Sequence, residues 1–377
     1  MLKVLHVISG LGTGGAETML LRILDRLVHD HSSHVISLST FGEMGPRIQA
    51  LGIPVEALGM RSGRLPRLGE YYRLVKTIKR VKPDVVHTWM YHADLIGGLA
   101  AKMAGVSSLA WGIHHSNLST SANKRSTVAV VRACALMSKW VPRKIFCCSE
   151  AARQIHADFG YMAEKIVVIP NGFDLARFTM DDHARDSVRA ELGLATDMPL
   201  VGLIGRYHPQ KNHDGFFAAA AMLSKKLPSA NFVLAGQGID AGNSELMSSV
   251  RRYGMEKVTH LLGPRDDIPR LMAALDVLAS SSIGEAFPNV LGEAMACGVP
   301  CAVTDVGDSA LIVGDSGRVV KSGDMIALAA SLENVLTLPE SERAVLRIRA
   351  RERVVANYAL DQVASRYAMA YRELAAH

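Results

Sequence analysis

Apolar residues in this chain come in short blocks separated by longer amphipathic stretches, an alternation that runs almost from end to end. LKVLHVI at 2–8 opens the series, and further β-branched runs stand at 34–40, 54–59, 84–89, 108–114, 144–149 and 165–170. Between them, segments such as AETMLLRILDRLVH and YYRLVKTIKRV repeat their apolar positions every three or four residues, the period of a helix lying on a core. The second half restarts the rhythm at PLVGLIG and carries it through NFVLAG, THLLG, DVLASS and CAVTD. Strands alternating with helices predict parallel, doubly wound sheets. Two successive sets predict two Rossmann-like domains in an α/β chain.

Polar residues interrupt the rhythm over 175–197, LARFTMDDHARDSVRAELGLATD, which places the joint there. The domains then read as 1–178 and 179–358, with a last helix at 359–377 able to pack back on the first domain.

Length and composition agree with two cores. At 377 residues the chain exceeds what one ordinary core accommodates. A hydrophobic share of 49% against 21% charged excludes a disordered chain. Charged residues or prolines break every apolar stretch well short of the roughly 18 residues a membrane span needs. MLKVLHVISG is too short for a secretion signal and reads as a first core strand. The five cysteines (134, 147, 148, 297, 301) are odd in number and lack metal-ligand spacing, which suits buried thiols in a reducing cytoplasm.

Residues 8–18, ISGLGTGGAET, follow the first strand, and Gly10, Gly12 and Gly15 spell G-x-G-x-x-G. A dinucleotide site with this fingerprint needs an acidic residue at the tip of the second strand to hold a ribose. HVISLST ends instead in Phe41 and Gly42, with no acid and no arginine, and the loop carries an extra glycine at Gly14. One reading is a tight turn that lets the next helix pack closely. The reading favoured here has the glycines lining an interdomain cleft close to a ligand.

The densest chemistry lies at 280–308, SSSIGEAFPNVLGEAMACGVPCAVTDVGD. A strand ends in three serines, and Pro288 suits the first turn of a helix that places Glu293 in its second turn. Backbone N–H groups near Phe287, Asn289 and Val290 would make an anion site with favourable helix dipole. Glu285 and Glu293 flank it, and a ligand hydroxyl is a good partner for a carboxylate set in so apolar a run.

This arrangement resembles the Glu-x7-Glu motif of the retaining GT-B glycosyltransferases of family four. KPDVVHTWMYHADL at 82–95, VVIPNGFD at 167–174, GLIGRYHPQKNHDG at 202–215 and LAGQG at 234–238 are further landmarks of that family, in its order and spacing. GEAFPNVLGEAMACG resembles the subgroup that builds bacterial surface polysaccharides and lipopolysaccharide. The resemblance covers nearly the whole chain. It implies a GT-B fold, two Rossmann-like domains facing across a cleft, and transfer of a hexose from a nucleotide-diphosphate sugar, a UDP-sugar foremost.

The resemblance also distributes roles. Arg206 and Lys211 would meet the diphosphate, where charge grows as the glycosidic bond breaks. Glu285 would hold hydroxyls of the transferred sugar and Glu293 those of the ribose. Phe287 and Asn289 would add backbone N–H groups within a binding stretch that includes Ala286, Pro288 and Val290. Gly14 and Gly15 would approach the phosphate from the other domain. Arg265 and Ile268 would cradle the nucleobase through backbone contacts, and His114, or its neighbour His115, would face the donor sugar. No Asp-x-Asp stands at a strand end; Asp181–Asp182 and Asp266–Asp267 lie in linker and loop. No metal and no cofactor beyond the donor is therefore expected.

Charge is uneven. Residues 1–190 carry 24 Lys and Arg against 15 Asp and Glu, so the first half is the basic one. The segments 61–82 and 124–144 hold eight and six basic residues with one acid between them, and the second includes Trp140. Neither shows a helix-turn-helix or stacked-aromatic pattern, which sets nucleic acid aside. Solvated helix faces are one reading of both segments. A lipid-linked saccharide acceptor and an anionic inner-membrane surface explain the charge more economically than nucleic acid does, and place the protein peripherally on the cytoplasmic face. The other readings are a different nucleotide-sugar enzyme of this architecture, an epimerase or soluble synthase, and a non-catalytic nucleotide-sugar or membrane-surface module.

Overall fold

A computed structural model describes residues 1–61, 66–116, 118 and 125–376. The chain forms two compact units, the first made of Met1–Gly172 with the C-terminal segment from Leu360 on, the second of Phe173–Ala359.

The first unit is built on seven strands: β1 (Leu2–Ile8), β2 (His31–Ser37), β3 (Val55–Ala57), β4 (Val85–Trp89), β5 (Leu109–Ile113), β6 (Lys144–Cys147) and β7 (Ile166–Val168). They pair in parallel in the order β3-β2-β1-β4-β5-β6-β7. The second has six: β8 (Leu200–Ile204), β9 (Asn231–Ala235), β10 (Thr259–Leu261), β11 (Val277–Ser280), β12 (Cys301–Asp305) and β13 (Arg318–Lys321). Their order is β10-β9-β8-β11-β12-β13, again parallel throughout. Each sheet is thus wound both ways from one switch point, β1/β4 in the first and β8/β11 in the second. Every residue of β4, β5, β8 and β9 is buried, as expected where helices cover both faces of a parallel sheet.

The strands stand close to where the apolar pattern predicts them, with three differences. β2 begins three residues earlier than read and ends at Ser37. Beyond it the chain turns through Gly42, whose φ is +53° and where a Cβ would come within 2.0 Å of the Leu11 carbonyl oxygen. β13 was not read as a strand: RVVK has four residues and alternates half-buried with exposed positions at the sheet edge. The third difference is the joint.

Residues 175–197 lie within the second unit, and the chain crosses between units at Gly172/Phe173 and again at Ala359/Leu360. Those residues hold a helix, Asp182–Glu191, pinned by a buried charge. Arg189, fully buried, gives Nη2 to Asp276 Oδ2 at 2.6 Å, and Arg185 gives Nη2 to Oδ1 at 2.7 Å. Asp276 Oδ2 also accepts the Leu200 N–H at 2.8 Å, and Arg189 donates to the Ala274 carbonyl. One carboxylate thus ties this helix to the entrances of β8 and β11.

Removing one side of a buried pair leaves the other charged and unsolvated, at a cost of about 3–5 kcal/mol. Asp276→Ala should therefore lose about that much in urea unfolding, while Arg189→Met with Asp276→Leu recovers most of it. A loss under about 1 kcal/mol for the single variant would show that the pair does not hold the helix.

Candidate functional site

At the switch point of the second sheet, the loops leaving β8 and β11 meet. The Ile283 N–H donates to the Gln210 carbonyl at 2.8 Å, and Ser281 Oγ donates to the carbonyls of Lys211 and Asn212 at 2.8 and 3.0 Å. Asn212 adopts a left-handed conformation, φ +50°, and its Oδ1 accepts the Gly215 N–H as cap of the helix His213–Lys226. Lys211 closes the 3₁₀ turn Pro209–Lys211 just before it. Its stem passes Gly205, where a Cβ would lie 3.5 Å from Lys211 Cε.

These loops bring Lys211 and Glu285 together. Lys211 Nζ lies 2.6 Å from Glu285 Oε1, with side-chain exposures of 23% and 16%. Ser282 Oγ donates to the same Oε1 at 2.9 Å. Sequence reasoning missed Ser282 and Gln210; the spacing of a serine three residues before the glutamate was the available signal. Arg206 is exposed on the same loop and has no ion pair among the described residues.

The stretch from Glu285 to Glu293 is shaped from both sides. Gly307 has φ +57°, and a Cβ there would fall 2.4 and 2.6 Å from the carbonyl oxygens of Glu285 and Ala286. The Asp308 N–H donates to the Ala286 carbonyl at 3.1 Å. Pro288 stands immediately before the helix Asn289–Ala296, as its cap instead of within its first turn, and makes no side-chain hydrogen bond there. Val290 and Glu293 are half-buried on that helix. Gly292 matters for shape: a Cβ would collide with the Phe173 ring at 2.0 Å, and that ring stacks on Phe287 at 6.2 Å and 20°. Phe173, from the motif VVIPNGFD, is a support that the sequence did not assign.

Arg265 belongs to a different constellation. Its guanidinium binds Asp267 through Nε (2.7 Å) and Nη2 (2.6 Å) and Glu191 through Nη1 (2.5 Å), and Arg270 joins the same two carboxylates. These charge-assisted hydrogen bonds hold the Asp267 carboxyl well below, and the Arg265 guanidinium above, their ordinary ranges. Ile268 begins the helix Ile268–Ala273 beside them.

In the first unit Gly14 is the cap of the helix Gly15–Leu27, and a Cβ there would meet Glu17 Oε2 at 2.3 Å. Glu17, unassigned in the sequence, lays its carboxylate against the glycine loop, and burial raises its pKa. His114 follows β5, its ring stacked on Trp89 at 4.9 Å and 10°. Burial lowers the imidazole to a pKa of about 4, so it is neutral at pH 7. His115 is exposed.

No helix among the described residues is long and apolar enough to cross a membrane.

Compared with known proteins, residues 13–177 match the family "Glycosyltransferase Family 4" and residues 184–353 match "Glycosyl transferases group 1". The chain is 30% identical over 313 residues, 80% of its own length and 79% of the relative's, to the "Putative glycosyltransferase EpsF" of Bacillus subtilis (strain 168). It is 29% identical to the UDP-Gal:alpha-D-GlcNAc-diphosphoundecaprenol alpha-1,3-galactosyltransferase of Escherichia coli, covering 70% of this chain and 68% of that one. Among solved structures, Anabaena Alr3699/HepE in complex with UDP superimposes with a TM-score of 0.87 at 24% identity, covering 99% of this chain and 100% of that one. The sucrose-phosphate synthase of Thermosynechococcus elongatus gives 0.81 at 20% identity, covering 99% of each. With two parallel-sheet α/β units of GT-B type and both halves matched, this chain belongs to the group 1, family 4 glycosyltransferases.

Proposed function

We propose that this glycosyltransferase is a retaining hexosyltransferase, taking its sugar from a UDP-sugar and passing it to a lipid-linked saccharide during assembly of bacterial surface polysaccharide. The observation that carries this reading is the Lys211–Glu285 pair, held where the loops after β8 and β11 meet. Such switch points are where open α/β sheets bind ligands. The E. coli relative, named for a UDP-sugar donor, a diphosphoundecaprenol-linked acceptor and an α linkage, supports the substrate classes.

In this mechanism the bond between the donor's anomeric carbon and its phosphate oxygen breaks as an acceptor hydroxyl oxygen bonds that carbon from the same face. The departing phosphate takes the acceptor's proton. Negative charge grows on the diphosphate, and Lys211 and the exposed Arg206 neutralise it. Lys211 acts as a compact charge and Arg206 as a fork for two oxygens. Glu285 accepts from hydroxyls of the sugar and Glu293 from the ribose. The N–H groups of Phe287 and Asn289 face the phosphates, with Ala286, Pro288 and Val290 completing that wall. The Arg265 side chain is engaged by carboxylates, so the loop from Arg265 to Ile268 offers the base its backbone. On the first unit, the backbone of Gly14 and Gly15 approaches a phosphate once the Glu17 carboxylate beside Gly14 turns away, and His114 offers a neutral imidazole to a sugar hydroxyl.

No metal is required in this scheme, and no three His, Cys, Asp or Glu side chains cluster for one among the described residues. Exposed Leu68, Tyr72, Leu136 and Trp140 near Arg67, Lys76, Lys79 and Lys139 support peripheral contact with the inner membrane's cytoplasmic face. Arg64 and Lys124, also in the basic segments, lie outside the described residues.

UDP at about 100 times its dissociation constant should stabilise the protein by roughly 2.7 kcal/mol in thermal shift, and NAD should not. A shift with NAD and none with any nucleoside diphosphate would end the reading. In turnover assays, Lys211→Ala and Glu293→Ala should each lose on the order of 100-fold, against little for the buried Cys297→Ala. EDTA should leave the rate unchanged; loss restored by manganese would reveal a metal requirement. With an α-linked UDP-sugar and a diphosphoundecaprenol-linked acceptor, NMR of the product should show an α linkage. A β product would make the enzyme inverting.

A further inference from the structure

The rings behind His114 form a connected set. His114 lies parallel to Trp89 of β4, and both of its ring nitrogens are shielded from water without a hydrogen-bond partner. Trp89 is itself fully buried, and its indole N–H donates to His6 Nδ1 of β1 at 3.2 Å. Trp89 also meets the His87 ring at 4.4 Å, and Tyr367 stacks at 6.2 Å and 25°. His87 Nδ1 is bonded to the Tyr371 hydroxyl at 2.9 Å. Gly112 of β5 permits the closeness, since a Cβ there would come 2.7 Å from the Thr88 carbonyl oxygen and 3.0 Å from His87 Nε2.

A buried imidazole with both nitrogens unpaired is costly, and such a group in a folded protein needs a reason. Every other polar contact in the set is directed away from His114. The indole N–H goes to His6, and the Tyr371 hydroxyl goes to His87. What Trp89 presents to His114 is a flat apolar face, which fixes the ring plane without occupying either nitrogen.

We propose that Trp89 is the positioning residue for His114. It holds the imidazole by face contact and leaves both nitrogens without a protein partner, so that a sugar hydroxyl meets them unoccupied when ligand binding opens the way to the ring. The inference rests on the reading of His114 as a sugar contact, and it assigns Trp89 no contact with substrate.

The groups that bear on this ring's charge are His6 and His87 behind the indole, Tyr367 and Tyr371 from the C-terminal helix, and His115 next in the chain. Further back, His31 is flanked by Asp30 and Arg372. Burial lowers the pKa of His6 to about 3 and that of His87 well below its ordinary value, so neither adds charge at neutral pH. With its folded pKa of about 4, His114 stays neutral until the pH falls close to that value.

The test is an imidazole NMR titration of His114, run beside the pH dependence of kcat/KM, on wild type, Trp89→Phe, Trp89→Leu and His114→Ala. Trp89→Phe keeps an aromatic face and loses only the N–H to His6. It should leave His114 neutral at pH 5 and kcat within about threefold. Trp89→Leu opens a polar-walled space that water can fill. His114 should then titrate up towards its unburied value of about 6.5, and the acid limb of kcat/KM should rise with it, by up to about 2.5 pH units. In that variant kcat should fall by about tenfold or more with KM little changed, because a misplaced group weakens the transition state more than binding. Should Trp89→Leu fail to fold, Trp89→Met fills more of the space and serves the same titration. If His114 titrates in these variants where it does in wild type, Trp89 does not position it. His114→Ala with wild-type turnover would instead overturn the reading of His114 itself, while the titration still decides the role of Trp89.

Discussion

In a parallel sheet wound both ways, the loops after two neighbouring strands depart towards opposite faces, and between them no crossover covers the strand ends. Each unit has a non-glycine residue of positive φ at that place, Met90 in the first and Asn212 in the second. In the second, loops after β8 and β11 bond to each other across the gap, and this stitching sets Lys211 and Glu285 2.6 Å apart. In the first, β1 leads into the glycine loop and β4 into Met90, whose φ of +72° and ψ of 154° fall in a region close to reserved for glycine. A side chain there is strained by roughly 1–3 kcal/mol. Hydrogen bonds on both sides hold it: the Met90 N–H donates to the Gly112 carbonyl at 2.8 Å, and the Met90 carbonyl accepts the Asp94 N–H at 2.9 Å.

Ion pairs in the second unit sort by what a ligand could reach. Arg189 and Asp276 are almost wholly buried and also serve backbone groups at two strand entrances, so exchanging that pair for a ligand would undo the entrances to the two central strands. Arg265 is saturated by two carboxylates that Arg270 shares. Lys211 differs, for it has a single carboxylate partner, and both ends of the pair retain some contact with solvent. A phosphate arriving there can take the ammonium while the released carboxylate turns to a hydroxyl. The same exchange at Arg189 would take from Asp276 its fully buried cation and from the Ala274 carbonyl its donor, which marks that pair as scaffold.

Period and spacing carried most of the architecture. Twelve of the thirteen strands stand where apolar blocks stand in the sequence, because a sheet covered on both faces leaves a continuous apolar run as its trace. The four-residue edge strand β13 leaves no such trace. The joint misled for a related reason: polar residues over 175–197 look like a linker, yet Arg185 and Arg189 are polar because they grip Asp276, some ninety positions on. Motif spacing singles out both Lys211 and Glu285 in the candidate site, but gives no sign of the 2.6 Å contact between them. Nothing local to Phe173 foretells that its ring presses on Gly292 and stacks on Phe287. Nor does anything near Arg265 announce Glu191. Pairings of long sequence separation leave no period to read.

The first unit's core shows the same limit in a stronger form. β4, VVHTW, is buried throughout although two of its five residues are polar, and its chemistry is completed from the far end of the chain. His87 takes its partner from Tyr371, and Thr88 donates to Asp94 Oδ1 at 2.5 Å. Burial raises the Asp94 carboxyl to a pKa of about 8, so it sits largely protonated at neutral pH, the less costly state for an acid with no cation beside it. The C-terminal helix Leu360–Ala375 therefore does more than cover apolar surface. Its Tyr371 gives His87 Nδ1 a partner and its Tyr367 packs beside the same ring, and Gly172, where a Cβ would lie 2.8 Å from Leu360 Cα, admits the start of that helix. The polar side chains that this strand carries towards its unit's switch point are thus met from two directions. Thr88 is met from Asp94 six residues on, and His87 from the returning end of the chain, nearly three hundred positions away, a pairing that no local pattern could announce.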